Sequence, residues 1–166
     1  MIILDTEEYV KMQHEEVVKT IAKALSNSEV PYTFIKSSSL ALHGLPVIPN
    51  DIDILTTARG AYDIEKIFSE CLVRNTNYSS NDMFGSHFGE LRINGVKIEL
   101  MGDLTANHGR WQSYNHSLRE RDYITIDGYQ IPVSQLTHER ESYLALNRQK
   151  DVNKKILLED KFSLRV

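Results

Sequence analysis

The chain has 166 residues, of which 23 are acidic and 19 basic, for a net charge of −4 with histidine neutral. A length of this order fits one domain that buries roughly 70% of its unfolded surface, with no disulfide or structural metal needed. With 41% apolar and 25% charged residues, 8 glycines and 4 prolines, the composition excludes disordered, collagen-like and repeat chains, and a pI near 5.9 argues against a non-specific nucleic-acid binder.

In chain order, residues 5–26 read as an amphipathic helix. Val10, Val17, Ile21 and Leu25 fall on one face, with Val18 and Ala22 widening it, and Asp5 followed by Glu8 resembles a capping box. Pro31 forbids continuation. Residues 32–35 suit a short strand and 37–42 a short helix that Gly44 can end. Residues 51–55 suit a second strand, and 61–73 a second helix with Ile64, Ile67, Phe68 and Leu72 on its apolar face. The polar stretch 75–82 reads as a loop. Strands over 84–93 and 96–101 flank Asn94-Gly95, a hairpin turn signal. Residues 102–115, which carry Trp111, read as irregular. A second hairpin joins 122–126 to 129–133 through Asp127-Gly128. Residues 134–147 read as a helix, with Leu136, Tyr143, Leu144 and Leu146 as its core positions, and Asp151 can cap a last helix through Leu158. The sum is an α/β (α+β) class: a mixed sheet flanked by helices, with C-terminal helices, in one domain. Residues 1–28 supply its first helix, 31–133 its sheet core and 134–166 its closing helices.

The single Cys71 cannot form an intrachain disulfide, and the N-terminal residues lack the basic start and long apolar run of a secretory leader. No stretch approaches the ~20 apolar residues that span a bilayer. A reducing, cytoplasmic setting is expected, with no membrane partner.

The informative segment is Asn50-Asp51-Ile52-Asp53-Ile54. In a strand, residues two apart share a face, so Ile52 and Ile54 would meet the core. Asp51 and Asp53 would then share the other face, their Cα atoms roughly 7 Å apart. Taken alone, such a pair is more often a solvated sheet face or a turn than a cation site. Val96 to Met101 repeats the alternation and puts Glu99 opposite its apolar face. Were the two strands neighbours, Asp51, Asp53 and Glu99 would form an oxygen-rich site suited to Mg²⁺. Upstream, Phe34-Ile35 runs into Lys36-Ser37-Ser38-Ser39 and then Leu40-Ala41-Leu42-His43-Gly44. A strand opening through serines into a helix offers amide and hydroxyl donors to phosphate.

In these motifs the sequence resembles the nucleotidyltransferase superfamily of DNA polymerase beta, in its minimal form. That pattern has a strand, a glycine pair or Gly-Ser opening a short helix, Asp-x-Asp on the next strand and a third acid on a later one. Lys36-Ser37 stands at the glycine pair, Asp51-Ile52-Asp53 at the paired acids and Glu99 at the third. The ending, Ile131-Pro132-Val133 and then a helix to Arg148-Gln149-Lys150-Asp151, is similar to lincosamide nucleotidyltransferases and nucleotidyltransferase-type antitoxins. The likeness covers most of residues 31–158. Three departures stand out. Lys36 replaces the first glycine, Glu99 stands where Asp is commoner, and Val47 and Pro49 stand where many relatives carry Arg and Thr.

The resemblance implies a polymerase-beta-like nucleotidyltransferase fold and a Mg²⁺- or Mn²⁺-dependent enzyme. Such an enzyme moves a nucleoside monophosphate, AMP from ATP in the first instance, to a hydroxyl of a small molecule or protein. Asp51, Asp53 and Glu99 would be catalytic and hold metal, Glu99 taking the acceptor's proton. Lys36, Ser37 and Ser38 would bind the nucleotide, and Arg148 and Lys150 lie where a phosphate could be reached. The expected partners are a nucleotide and an acceptor that the sequence does not name; pairing of two copies stays open. Two other readings compete. One is a catalytically inactive binding or antitoxin module, prompted by the altered glycine pair. The other is nucleic-acid end modification, disfavoured by the acidic balance, with Arg110, Arg119 and Arg121 as its only rim. Trp111, near His108 and Arg110, reads at least as readily as a half-buried packing residue as one that stacks a base or acceptor.

Overall fold

Helix α1 (Thr6–Leu25) begins where the sequence offers a cap: the Asp5 carboxylate accepts the Glu8 amide at 2.8 Å. It buries His14, Val17, Val18, Ile21, Ala22 and Leu25, one apolar stripe with a polar interruption. This is a computed structural model, and it describes residues 5–163. Residues 1–4 and 164–166 lie outside the described residues. With them go the outer ends of the expected first and last segments and the start of the stretch read as lacking a leader.

After Pro31 come β1 (Tyr32–Ile35) and, without a break, α2 (Lys36–Leu42). Strand β2 (Ile52–Thr56) follows, then α3 (Ala58–Ile67), whose first turn is capped by the Thr57 hydroxyl accepting the Gly60 amide at 2.9 Å. Three long strands come next: β3 (Leu72–Ser80), β4 (Phe84–Ile93) and β5 (Val96–Asn107). The short β6 (Trp111–Ser113) and α4 (His116–Arg119) lead to the hairpin β7 (Arg121–Ile126) and β8 (Tyr129–Ser134). Helices α5 (Leu136–Leu146) and α6 (Val152–Ser163) close the chain.

The strands form one mixed sheet of order β3-β4-β5-β2-β1-β8-β7, with β6 added to β5. The β2–β5 and β1–β8 pairs are parallel and the others antiparallel. The period-2 rule divides the side chains. Phe34, Ile52, Ile54, Ile98 and Leu100 face α1 and α3 in the main core. Ile35, Leu55, Met101 and Leu104 face the other way, under Leu118 of α4. A third cluster, Leu40, Leu45, Leu136, Tyr143 and Leu158, ties α2 to α5 and α6. The expected layering of a mixed sheet between helices is therefore present.

Several boundaries differ from the expectation. The second helix starts at Ala58 and stops at Ile67, where a short turn over Ser69–Cys71 leads into β3. Ile67 is accordingly exposed. Residues 75–82, read as a loop, are mostly strand: β3 is an edge paired only with β4, and of its residues only Thr76 is fully buried. A polar sequence survives there because cross-strand backbone bonds, not burial, hold it. Strand β5 likewise runs on to Asn107, six residues past its apolar alternation, because Thr105–Asn107 pair with β6. Leu144, read as core, is 48% exposed; Leu136 and Tyr143 supply the apolar face of α5 instead.

One close approach fixes the packing of α3 on the sheet. A Cβ on Gly102 would stand 2.7 Å from the Thr57 carbonyl oxygen and 3.0 Å from Ala58 Cα. Gly102→Ala should therefore destabilise the fold by about 1–3 kcal/mol in urea unfolding. A change under a few tenths would show that α3 shifts freely.

Candidate active site

The register of β2 sets the site. Asp53 is the direct partner of Glu99 on β5 and of Ile35 on β1, so both carboxylates stand side by side on the face away from the main core. Asp51 immediately precedes β2, two residues from Asp53. Asp51, Asp53 and Glu99 line one recess of about 420 Å³, together with Lys36 and Ser37. Its opposite wall comes from the C-terminal helices and their junction: Tyr143, Arg148, Lys150, Asp151 and Lys154. The three acids that the sequence singles out thus share a single opening with four cationic side chains.

Electrostatics there is strained. Burial pushes the Asp53 carboxyl up to about 6, opposed by the Lys36 ammonium and reinforced by Glu99 and Asp51. Glu99 is held by Lys97 Nζ at 3.1 Å, and the Lys97 ammonium is raised mainly by that hydrogen bond. Among the described residues no three acids, histidines or cysteines form a ready metal cage. The donor set fits a different kind of site. Two adjacent carboxylates that repel each other suit a divalent ion completed by waters and phosphate oxygens, as Mg²⁺ prefers.

A sequence model of the aminoglycoside-2''-adenylyltransferase family matches residues 17–155. The chain belongs to that family. A Thermotoga maritima protein described as a nucleotidyltransferase is 36% identical, with 92% of this chain and 94% of that one covered and a TM-score of 0.77. At fold level the chain is also similar to ANT(2'')-Ia, solved with adenylyl-2''-tobramycin (13% identity, 91% and 90% covered, TM-score 0.57). The lincosamide adenylyltransferase LnuA, lincomycin-bound, is comparable (16% identity, 87% and 96% covered, TM-score 0.57). No curated protein matches the sequence. The expected nucleotidyltransferase relationship and fold hold.

Within this family frame, Lys36 is the informative departure. It has φ +58°, the left-handed conformation that glycine takes without steric cost. A lysine there costs on the order of 1 kcal/mol or more. The conformation is held from across the fold. The Lys36 amide donates to Glu139 Oε1 at 2.9 Å, and the Ser134 hydroxyl donates to Glu139 Oε2 at 2.6 Å. Glu139 is fully buried, and burial raises its carboxyl, opposed by Ser134 and Lys36. The Lys36 ammonium lies 5.0 Å from the Phe84 ring centre.

The serines divide. Ser37 lines the recess with the carboxylates. Ser38 is buried and turned inward, its hydroxyl donating to the Asp51 carbonyl at 3.3 Å. That leaves His14 Nε2–H to donate to the Ser38 oxygen at 3.1 Å. Ser38 thereby braces the backbone of Asp51, and the recess lining does not include it. Ser39 donates to the Ser134 carbonyl at 2.9 Å.

Sequence reading passed over Tyr143 and Glu139 as site residues, and it placed Arg148 near a phosphate without its pairing to Asp151. Tyr143 reads as an ordinary core position, yet its hydroxyl is buried at the recess without a hydrogen-bond partner among the described residues. Burial pushes its phenol far above the ordinary range. Arg148 Nε donates to the buried Asp151 at 2.7 Å, so the chain's Arg-x-x-Asp stretch is a strut as well as recess wall. Trp111 is half exposed and does not line this recess, while His108 stacks on Tyr114 elsewhere.

His14 supplies a pH test. Burial lowers it to about 4, below its ordinary 6.5. Its unfolded form binds the proton more tightly, so the native stability it permits is full above pH 6.5 and is lost as pH falls toward 4. Relative to His14→Gln, native protein should lose on the order of 2–3 kcal/mol between pH 7.5 and 4 in chemical unfolding. A constant difference across that range would show that His14 protonates freely in the fold.

Proposed function

We propose that the chain transfers a nucleoside monophosphate, AMP from ATP first of all, to a hydroxyl of an acceptor, and that it acts as a single domain in the cytoplasm. The observation that carries this reading is the register pairing of Asp53 with Glu99 in a recess shared with Asp51 and faced by Lys36, Arg148, Lys150 and Lys154. Acids that face one another need cations, and a triphosphate needs them too.

Asp51, Asp53 and Glu99 would hold a divalent ion, Mg²⁺ or Mn²⁺, which supplies charge neutralisation at the phosphates when bound. Lys36 and Ser37 would meet phosphate oxygens, with Ser38 bracing Asp51 from behind. Glu99 would take the acceptor's proton as the acceptor oxygen bonds to the α-phosphorus. The bond from that phosphorus to the bridging oxygen breaks, and pyrophosphate leaves with the electron pair. Positioning and charge do most of the work.

A second reading has its own support. Lys36 holds the left-handed position without glycine, and its ammonium occupies space beside the acids. A nucleotidyltransferase-like binding or antitoxin module that performs no chemistry would tolerate that.

Thermal unfolding with Mg²⁺ and a non-hydrolysable ATP analogue separates the two. A ligand at 100 times its dissociation constant adds about 2.7 kcal/mol. EDTA should remove that shift. Pyrophosphate release from ATP with a panel of hydroxyl acceptors should fall by about 10²–10³ in Asp53→Asn, the scale for losing a charge-stabilising group. Equal release by native protein and Asp53→Asn would remove the catalytic reading. A Mg²⁺-dependent shift with no release from either would favour the module.

A further inference from the structure

A second recess of about 320 Å³ adjoins the first. Lys36, Glu99, Arg148 and Lys150 line both, so the two meet at the third acid. The chemistry of the second is different. Its apolar surface is Phe84, Phe88, Met101 and Leu104, carried by β4 and β5 on the face that bears Glu99. Its charges are nearly all positive. Arg74 reaches in from the edge strand β3, its guanidinium 5.2 Å from the Phe88 ring centre. Lys36 and Arg148 lie 5.0 and 5.7 Å from the Phe84 ring centre. Arg148 is balanced by Asp151, but Arg74 and Lys150 form no ion pair among the described residues. The one acid in the lining, Glu99, is itself held by Lys97. This lining sits on a molecule of net charge −4, so the positive surface is local.

We propose that this recess seats the acceptor, and that the acceptor is a small hydroxyl compound carrying an anionic group on an apolar or aromatic body. The proposal rests on the nucleotidyl-transfer reading above and narrows it. Seated this way, the acceptor's hydroxyl lies toward Glu99, its ring or chain lies on Phe84 and Phe88, and its carboxylate or phosphate meets Arg74 and Lys150. A polyamino sugar brings several ammonium groups. Placing them against Arg74, Lys36 and Lys150 sets like charges together, with Glu99 in the lining and Glu90, the cross-strand partner of Arg74, as the nearby acids, both already near Lys97; that mismatch selects against such an acceptor. The family's descriptive name thus does not carry over to this chain's acceptor.

The test uses the full chain and fluorescence titration with 6-hydroxy-2-naphthoate and 2-naphthyl phosphate as anionic probes, 2-naphthol as the neutral one and tobramycin as the polycation. Each is measured alone and with Mg²⁺ and saturating ATP analogue. Both anionic probes should bind at least 10-fold more tightly than 2-naphthol or tobramycin, and should still bind with the analogue present. Arg74→Glu should weaken both by about 10-fold, while Arg59→Glu, on an exposed arginine of α3 outside both recesses, should not. Preference for tobramycin, or no effect of Arg74→Glu, would overturn the proposal. So would displacement of the probes by the analogue, which would make this recess the base site. Tighter binding of a short RNA with a free 3′ hydroxyl would overturn it in favour of a polynucleotide end. Should the ATP analogue fail to bind at all, nucleotidyl transfer falls, yet the titrations without nucleotide still decide the anion preference.

Discussion

The structure turns on one lateral pairing: Asp53 of β2 beside Glu99 of β5. Two carboxylates on adjacent strands of one face repel, and desolvation makes the repulsion worse. The sheet tolerates them because the face directly behind them is apolar. Ile52, Ile54, Ile98 and Leu100 are completely buried against the helices and fix the register. A slip of one residue would bury both acids and expose those four side chains. The acid pair is therefore held in place by the core beneath it.

The rest of the site can be understood as a response to that pair. Lys36 brings a positive charge to Asp53, Lys97 brings one to Glu99, and the C-terminal helices bring Arg148, Lys150 and Lys154 over the same opening. The cations outnumber what the acids need once the recess continues along β4 and β5. That excess marks the second recess as chemically distinct from the first.

The sequence showed the acids because Asp-x-Asp is costly in a strand and because Val96 to Met101 alternates cleanly. Period 2 alone placed Asp53 and Glu99 on outward faces; their adjacency needed the strand order, which no local pattern encodes. The fold class was legible for the same reason, from capped helices and two Gly-containing hairpin turns. Edge strand β3 was not legible, since most of its residues are polar and exposed and its strand character lies in backbone pairing with β4. Ser38 could not be separated from Ser37, because a turn decides which hydroxyl meets the recess and which meets His14. Glu139 offered no signal: an acid inside a helical pattern reads as solvated, and only the fold reveals a buried acceptor for the Lys36 amide. Phe84 and Phe88 fall in a segment read only as a strand; they are partly buried against the second core cluster and also line the recess, which no strand pattern encodes.

The clasp between Glu139 and the Lys36 amide joins positions 103 apart in the chain. During synthesis, the turn at Lys36 leaves the ribosome long before the carboxylate that holds its unfavourable backbone angle. The strands carrying the acids can associate earlier, but the loop beside them acquires its final shape only once α5 has emerged and docked. The molecule thereby withholds a finished site from the nascent chain until α5, which carries Glu139, has been made.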